Sequence, residues 1–476
     1  MGTRIQKKAL VFEDLRGKER PRVIPSDSLI NYLNSTIFNT KCDFLNNEPD
    51  SEEERLIEKN YSFLKEKIET ELLNKGGADS KLEYLQELFE KIAKLEVIWI
   101  KIEDEEAAYE VFETVNDRGA ELSIADLLKN LIFKKLKALG KDIDYFKDRW
   151  KNIEENISKQ NIDMKKFFRH FWLSKYSFVT EKKLFKEIKK TLTKDKDYIE
   201  LLEELVSASD DYGMLLKGSY DDWIEKEDGD KIYDCLRGIR AMKVVQCHSL
   251  FLSSLRNLKK INKKPFKVFK LIENFSFLYS IVGKQPSNKL EKIYSNYSRQ
   301  LEKETKKIDK HTLSNIDRIL TNLENELRSL KPTIEHLGNN FKNITYSANN
   351  ILLIAYILEK INSIFESGEH KINFESINIE HFLPRNPNKD WNITKEESKD
   401  FVNNIGNLTI LLDRINKKAG NKGPKEKCEI LKKSDIHLTK QLVENIERSQ
   451  YRWGKEEIEK RQKDLINLAL EKVWIY

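Results

Sequence analysis

Residues 376–387 read SINIEHFLPRNP, and the C-terminal part of the chain turns on this stretch. A short apolar run carries Glu380 and His381, Pro384 follows three residues later, and the sequence then becomes polar. Proline offers no N–H to a strand ladder, so a strand that reaches Pro384 ends there. Neighbouring strand side chains point to opposite faces, so Glu380 and His381 converge only where the strand twists or stops.

The next residues of interest come in a fixed order. Asn407 lies in GNLTILL (406–412), 26 residues after His381; Asn416 follows nine residues later, and Asn421 five beyond that. A metal-dependent phosphodiesterase needs a base to deprotonate water, and a neutral histidine suits that near pH 7. It also needs hard oxygen ligands for a divalent cation that offsets charge on the phosphate. A strand bearing an acidic residue beside a histidine, a second strand begun by asparagine, and a following helix with another asparagine supply these parts in the ββα-metal (HNH) arrangement. A Glu-His pair alone is weak: Glu335-His336 in TIEHLGNN (333–340) is a second one, without the proline.

The whole chain sets the frame. It has 476 residues, room for two or three domains, with enough apolar side chains for real cores. No apolar run is long enough to span a bilayer and the first twenty residues hold no apolar signal core, so a cytoplasmic protein is expected. Cys42, Cys235, Cys247 and Cys428 form no CxxC pair, which argues for reduced thiols and against a cysteine zinc site. The net charge of +6 decides little, but residues 413–440 hold nine Lys/Arg against four Asp/Glu, beside the histidine motif. Such a stretch is either a solvated face or a contact for a nucleic-acid backbone.

Helical periodicity dominates. SIADLLKNLIFKKL (123–136) places apolar residues at helical spacing behind a Ser123/Asp126 capping box. LEVIWIKI (95–102) reads as a strand, EEAAYEVFETV (105–115) as a helix, and NDRG (116–119) as a tight loop. Helices are expected from about 140 to 345, including KKFFRHFWLSKY (165–176), where His170 reads as packing, and RGIRAMKVVQCHSLFLSSL (237–255). Strands return at about 372–384 and at 406–412, and residues 455–474 read as a final amphipathic helix.

IEHFLPRNP (379–387), IGNLTILLDRIN (405–416), NKKAGNK (416–422), Lys427 and the terminal Arg461…Trp474 segment together resemble the C-terminal nuclease domain of GmrSD-type modification-dependent restriction enzymes, an HNH-like domain used against phage DNA. YEVFETVNDRGAELSIADLLKNLIF (109–133) looks like part of that family's N-terminal nucleotide-handling domain, and residues 164–190 like its helical middle. The resemblance implies a mainly α fold, with helical N-terminal and middle regions and a small α+β, HNH-like nuclease domain at the C-terminus. The expected bounds are 1–140, 141–330 and 331–476. It implies a DNA endonuclease dependent on Mg²⁺ or Mn²⁺. His381 would be the base, Glu380 and Asn416 the metal ligands, and Asn407 the holder of the His381 loop, with Asn421 and Lys427 near the scissile phosphate. Asn116, Arg118 and Gly119 could touch a nucleotide phosphate ahead of a helix N-terminus, or form a plain turn. The family's Asp-Gly-Gln-Gln-Arg signature is absent from the sequence. A partial N-terminal domain is therefore expected, completed by a partner chain or by self-association and without nucleotide hydrolysis of its own. A non-catalytic DNA- or partner-binding subunit with a decayed nuclease fold is the alternative.

Overall fold

A capping box starts the first long helix, Glu52–Leu73. The Ser51 hydroxyl accepts the Glu54 N–H at 3.1 Å, and the Glu54 carboxylate accepts the Ser51 N–H at 3.2 Å. The computed structural model describes residues 11–13, 19–21, 29–36, 49, 51–96, 124–140, 142–366 and 377–475. The chain divides into two units, Met1–Ile102 and Glu103–Tyr476. In the first, strands β1 (Val11–Glu13) and β2 (Glu19–Pro21) pair antiparallel with Phe12 opposite Arg20, and the helices Ile30–Ser35, Glu52–Leu73 and Gly77–Ala93 follow. Beyond its first two residues, the expected strand over 95–102 lies outside the described residues, as do the expected helix 105–115 and the loop with Asn116, Arg118 and Gly119.

The second unit is mainly helical, with a small two-stranded sheet. The helix expected over 123–136 runs Ile124–Ala138, and Met164–Leu173 buries Phe167, Phe168, Phe171 and Trp172. The apolar run at 237–255 is two helices, Gly229–Ala241 and His248–Lys259. The break falls at Lys243, which takes a left-handed φ of 56°, while the Val244 N–H reaches back to the Ile239 carbonyl at 3.1 Å. That closes the first helix as a C-terminal cap does, and the β-branched Val244-Val245 pair follows.

One apolar core runs from Ile124, in the first described helix of this unit, to Trp474. The last helix, Lys455–Leu468, widens into a π turn at Ala469–Val473, where the Trp474 N–H bonds to the Ala469 carbonyl at 3.0 Å. Trp474 then stacks on Phe277 at 3.7 Å between ring centroids, and its indole N–H donates to the Tyr356 hydroxyl. Phe277 itself begins a second π turn, Phe277–Val282. The α-helix therefore stops short of residue 474 where the indole docks among the middle helices.

Strands β3 (Ile377–His381) and β4 (Leu408–Leu412) form the C-terminal sheet, antiparallel, with His381 opposite Leu408 and Glu380 opposite Thr409. Ile377, Ile379, Leu408 and Ile410 pack on the main core. Leu411, on the other face, joins a second cluster that includes Phe382, Leu383, Trp391 and Trp453. The ribbon thus lies between two apolar clusters, with β4 buried and β3 half-buried, which fixes its register, because a slip of one residue would exchange the faces. The helix Asp413–Ala419 follows β4 directly, and Pro424–Leu431 comes next, with Pro424 at its first turn.

Candidate active site

Glu380 and His381 follow the strand alternation and find different partners. The Glu380 carboxylate is ion-paired with Lys427, whose side chain is fully buried, while that of Glu380 is 14% exposed. Lys427 also donates to the His381 carbonyl at 2.7 Å, so one ammonium ties the end of β3 to the helix Pro424–Leu431. Burial raises the Glu380 carboxyl above its ordinary value and Lys427 opposes the rise. Burial likewise lowers the Lys427 ammonium, and Glu380 opposes that.

The His381 ring contacts Asn403 and Tyr346. Its Nε2 lies 3.1 Å from Asn403 Oδ1, and the Tyr346 ring meets it edge-on at 4.8 Å. With the amide oxygen as acceptor, Nε2 must carry the proton, which leaves the Nδ1 lone pair as the basic site. Burial pushes the ring down to about 4; the bond to Asn403 opposes this, while Arg385 and Lys427 add to it. The imidazole is therefore neutral at pH 7. Arg385 lies over the Tyr346 ring at 4.6 Å, a cation–π contact beside the edge-on pair.

Asn407 is fully buried and its amide is saturated. Oδ1 accepts the Leu383 N–H at 2.9 Å and the Trp453 indole N–H at 3.1 Å. Nδ2 donates to the Leu383 and Val402 carbonyls at 2.9 and 2.8 Å. The Asn407 carbonyl also accepts the Phe382 N–H at 2.9 Å. This one residue clamps the backbone just after His381. Gly406 beside it lets the last helix approach: a Cβ there would sit 2.0 Å from the Ile458 carbonyl oxygen.

Asn416 is half-buried on the helix Asp413–Ala419, and among the described residues its amide makes no side-chain hydrogen bond. Asn421 is exposed in the turn before Pro424. The structure thus places Glu380, His381, Asn407 and Lys427 in one connected network, with Asn416 on the adjoining helix and Asn421 outside the network. Asn403, Tyr346 and Trp453 were not singled out from sequence. The nearest signal was the crowded NNIGN (403–407), in which one asparagine among many carries little weight in an Asn-rich chain.

The second Glu-His pair is placed differently. His336 stands in the first turn of the helix Ile334–Phe341, where its N–H bonds to Thr333 and its ring lies 3.0 Å from the Asn340 amide. His170 is buried against Tyr212, with Nδ1 2.7 Å from the hydroxyl. Cys235, Cys247 and Cys428 are buried free thiols.

Two donors are of the type that suits a hard cation: the Glu380 carboxylate oxygen not bonded to Lys427, and the amide oxygen of Asn416 on the helix Asp413–Ala419. Among the described residues no group of three or more His, Cys, Asp or Glu side chains is arranged to hold a metal ion. A cation here would therefore keep several waters, as Mg²⁺ does. In the basic stretch, Lys417 pairs with Asp413 at 2.5 Å, Lys422 with Glu426, and Lys432 with Glu429 and Glu447. Arg414, Lys418 and Lys433 are exposed and, among the described residues, outside any ion pair.

Two domain patterns match the chain: GmrSD restriction endonuclease, N-terminal domain, over residues 6–133, and GmrSD restriction endonucleases, C-terminal domain, over residues 331–468. Together they cover more than half of its 476 residues. No curated protein matches it. The first match overturns the expectation of a missing N-terminal half, and with it the reason for a partner chain that supplies one. The absent Asp-Gly-Gln-Gln-Arg string misled because a short string is a local mark, whereas a domain's pattern is spread along its whole length. Among the described residues no helix is long and apolar enough to cross a membrane.

Proposed function

The chain belongs to the GmrSD restriction endonuclease family, and from that premise we propose that its C-terminal domain is an HNH-like DNA endonuclease in which His381 activates water. The observation that supports this most is the 3.1 Å contact of His381 Nε2 with Asn403 Oδ1, which, with the amide oxygen accepting, leaves Nδ1 as the ring nitrogen that can take a proton. Nδ1 takes a proton from the attacking water as the water adds to phosphorus, while the bond from phosphorus to the leaving sugar oxygen breaks and that oxygen is protonated by solvent. Asn407 keeps that nitrogen in place by holding Leu383 and Phe382. Glu380 and Asn416 would hold Mg²⁺ or Mn²⁺, which when bound offsets charge on the phosphate and the leaving oxygen. Lys427, buried on Glu380, orients that carboxylate rather than reaching the substrate itself.

The substrate is DNA in a restriction-type defence role, and phage or modified DNA is the form proposed here. Arg414, Lys418 and Lys433, with the weakly paired surface lysines 417 and 422, give the backbone a cationic track. In the N-terminal domain, Asn116, Arg118 and Gly119 are the proposed contacts for a nucleotide phosphate. Plasmid nicking by the purified chain tests the nuclease reading. Cleavage should vanish in EDTA and return with Mn²⁺, whereas full activity in excess chelator would rule out the metal.

One observation favours a second reading. Lys427 already places a cation on the only carboxylate of the network, which is also how a decayed site that binds DNA without cutting it would be arranged. Tight, salt-sensitive DNA binding without nicking in any divalent cation would select that reading.

A further inference from the structure

A separate cavity of about 410 Å³ opens between the helices His437–Arg448 and Lys455–Leu468. Four cationic side chains line it against three carboxylates, and Trp453 forms part of its wall. One of those carboxylates, Glu457, is already committed to Arg452 at 2.9 Å and to the Gly454 N–H at 3.0 Å. Lys460 is exposed and, among the described residues, in no ion pair.

The centre of the cavity's chemistry is Arg461, which is 3% exposed. Its Nη1 donates to the carbonyls of Gly406 and Leu408 at 2.8 and 2.7 Å. Its Nε and Nη2 are buried and, among the described residues, have no hydrogen-bond partner. Burial pushes the guanidinium down to about 9 and Asp464 opposes the shift, so the group stays charged at neutral pH. A buried cation with two idle donors is an unstable arrangement unless an acceptor reaches them. Water could satisfy the donors but would leave the charge. The two idle nitrogens are the adjacent pair of a guanidinium fork, the geometry that takes two oxygens of one anion.

We propose that this cavity is a phosphate-binding site, in which Arg461 Nε and Nη2 hold two phosphate oxygens, while Lys460 and the Nη groups of Arg452, whose Nε is held by Glu457, donate to the ligand at its mouth. The volume is too large for a single carboxylate and lies within the range of small-molecule sites. The ligand is a group of the phosphate class, carried either by a free phosphate compound or by a DNA end. The same side chains that line the cavity hold the turn opposite His381, since Trp453 bonds to Asn407 and Arg461 to its two neighbours. The site stands independently of whether the domain cleaves DNA.

Calorimetric titration of the full chain with pyrophosphate, at fixed ionic strength, tests the assignment. Binding is expected at about millimolar affinity or better. Lys460→Ala and Arg452→Ala should each weaken it about tenfold, the loss of one charge-assisted contact. Lys182→Ala, at an exposed position among the middle helices, should leave it unchanged. A 5′-phosphorylated oligonucleotide that displaces pyrophosphate would identify a DNA end as the source; failure to displace would leave the free compound. No heat at millimolar pyrophosphate, or binding indifferent to both Lys460→Ala and Arg452→Ala, overturns the site. Arg461→Lys should abolish binding, and if that variant does not fold the two surface variants decide.

Discussion

Replacing Lys427 with Met removes an ammonium from a place where water cannot follow. The stem is largely kept, so the packing of the fully buried side chain is retained. Three interactions go: the ion pair with Glu380, the hydrogen bond to the His381 carbonyl and the cation–π contact with the Phe382 ring at 5.9 Å. Breaking a buried pair from one side typically costs about 3–5 kcal/mol, because the surviving charge is left without a partner. Glu380 retains some contact with solvent, which returns part of that cost, so Lys427→Met should destabilise the chain by about 2–4 kcal/mol. Urea unfolding of the C-terminal core, followed by tryptophan fluorescence, reads this directly, since Trp391 and Trp453 lie in the cluster beside the pair. Glu380→Gln placed in the Lys427→Met background should recover a large share, because the neutral amide no longer suffers the burial that raises the Glu380 carboxyl. A loss below about 0.5 kcal/mol for Lys427→Met, or strict additivity in the double variant, would refute the buried pair.

Two other measurements probe different parts of the molecule. His170 and His248 are both pushed down to about 3, chiefly by burial, with Arg169 and Lys166 adding to the first and His170 and Arg240 to the second. Their folded values lie below the unfolded one, so the stability they contribute is present above about pH 6.5 and is lost as pH falls from there toward 3. Urea unfolding between pH 7 and 5 should show stability declining with acid by up to about 2.7 kcal/mol per pH unit from this pair, and His248→Phe should remove about half of that slope; an unchanged slope contradicts it. In the basic stretch, replacing Lys417, Lys418 and Lys422 together by Ala should lower the salt dependence of DNA binding by about two to three units. An unchanged slope would make those lysines a solvated face.

The order Glu380-His381, Pro384, Asn407, Asn416 made a two-stranded ribbon followed by a helix legible, because each residue type constrains a strand end or a turn on its own. The strand end before Pro384 suggested that Glu380 and His381 converge, whereas the register stays regular through His381 and the two side chains keep separate partners. The burial of Lys427 was not legible: NKGPKEK reads as a solvated run, and only the fold brings its last lysine under β3. Asn403 and Trp453 reach His381 and Asn407 across 22 and 46 residues of sequence, distances over which no local pattern operates. The break at Lys243 escaped notice because a left-handed lysine has no mark in sequence, unlike a glycine. The N-terminal domain was underestimated for the opposite reason: one absent signature outweighed a pattern spread over residues 6–133.

The central claim is that His381 acts as the base while the chemically similar His336 does not. Initial rates of Mn²⁺-supported plasmid nicking by the wild-type chain, His381→Ala and His336→Ala, with folding checked by circular dichroism, test it most directly. His381→Ala should lower the rate by about two to four orders of magnitude, the usual cost of a lost general base, and His336→Ala should match wild type. Equal losses in the two variants, or full nicking by His381→Ala, would contradict it.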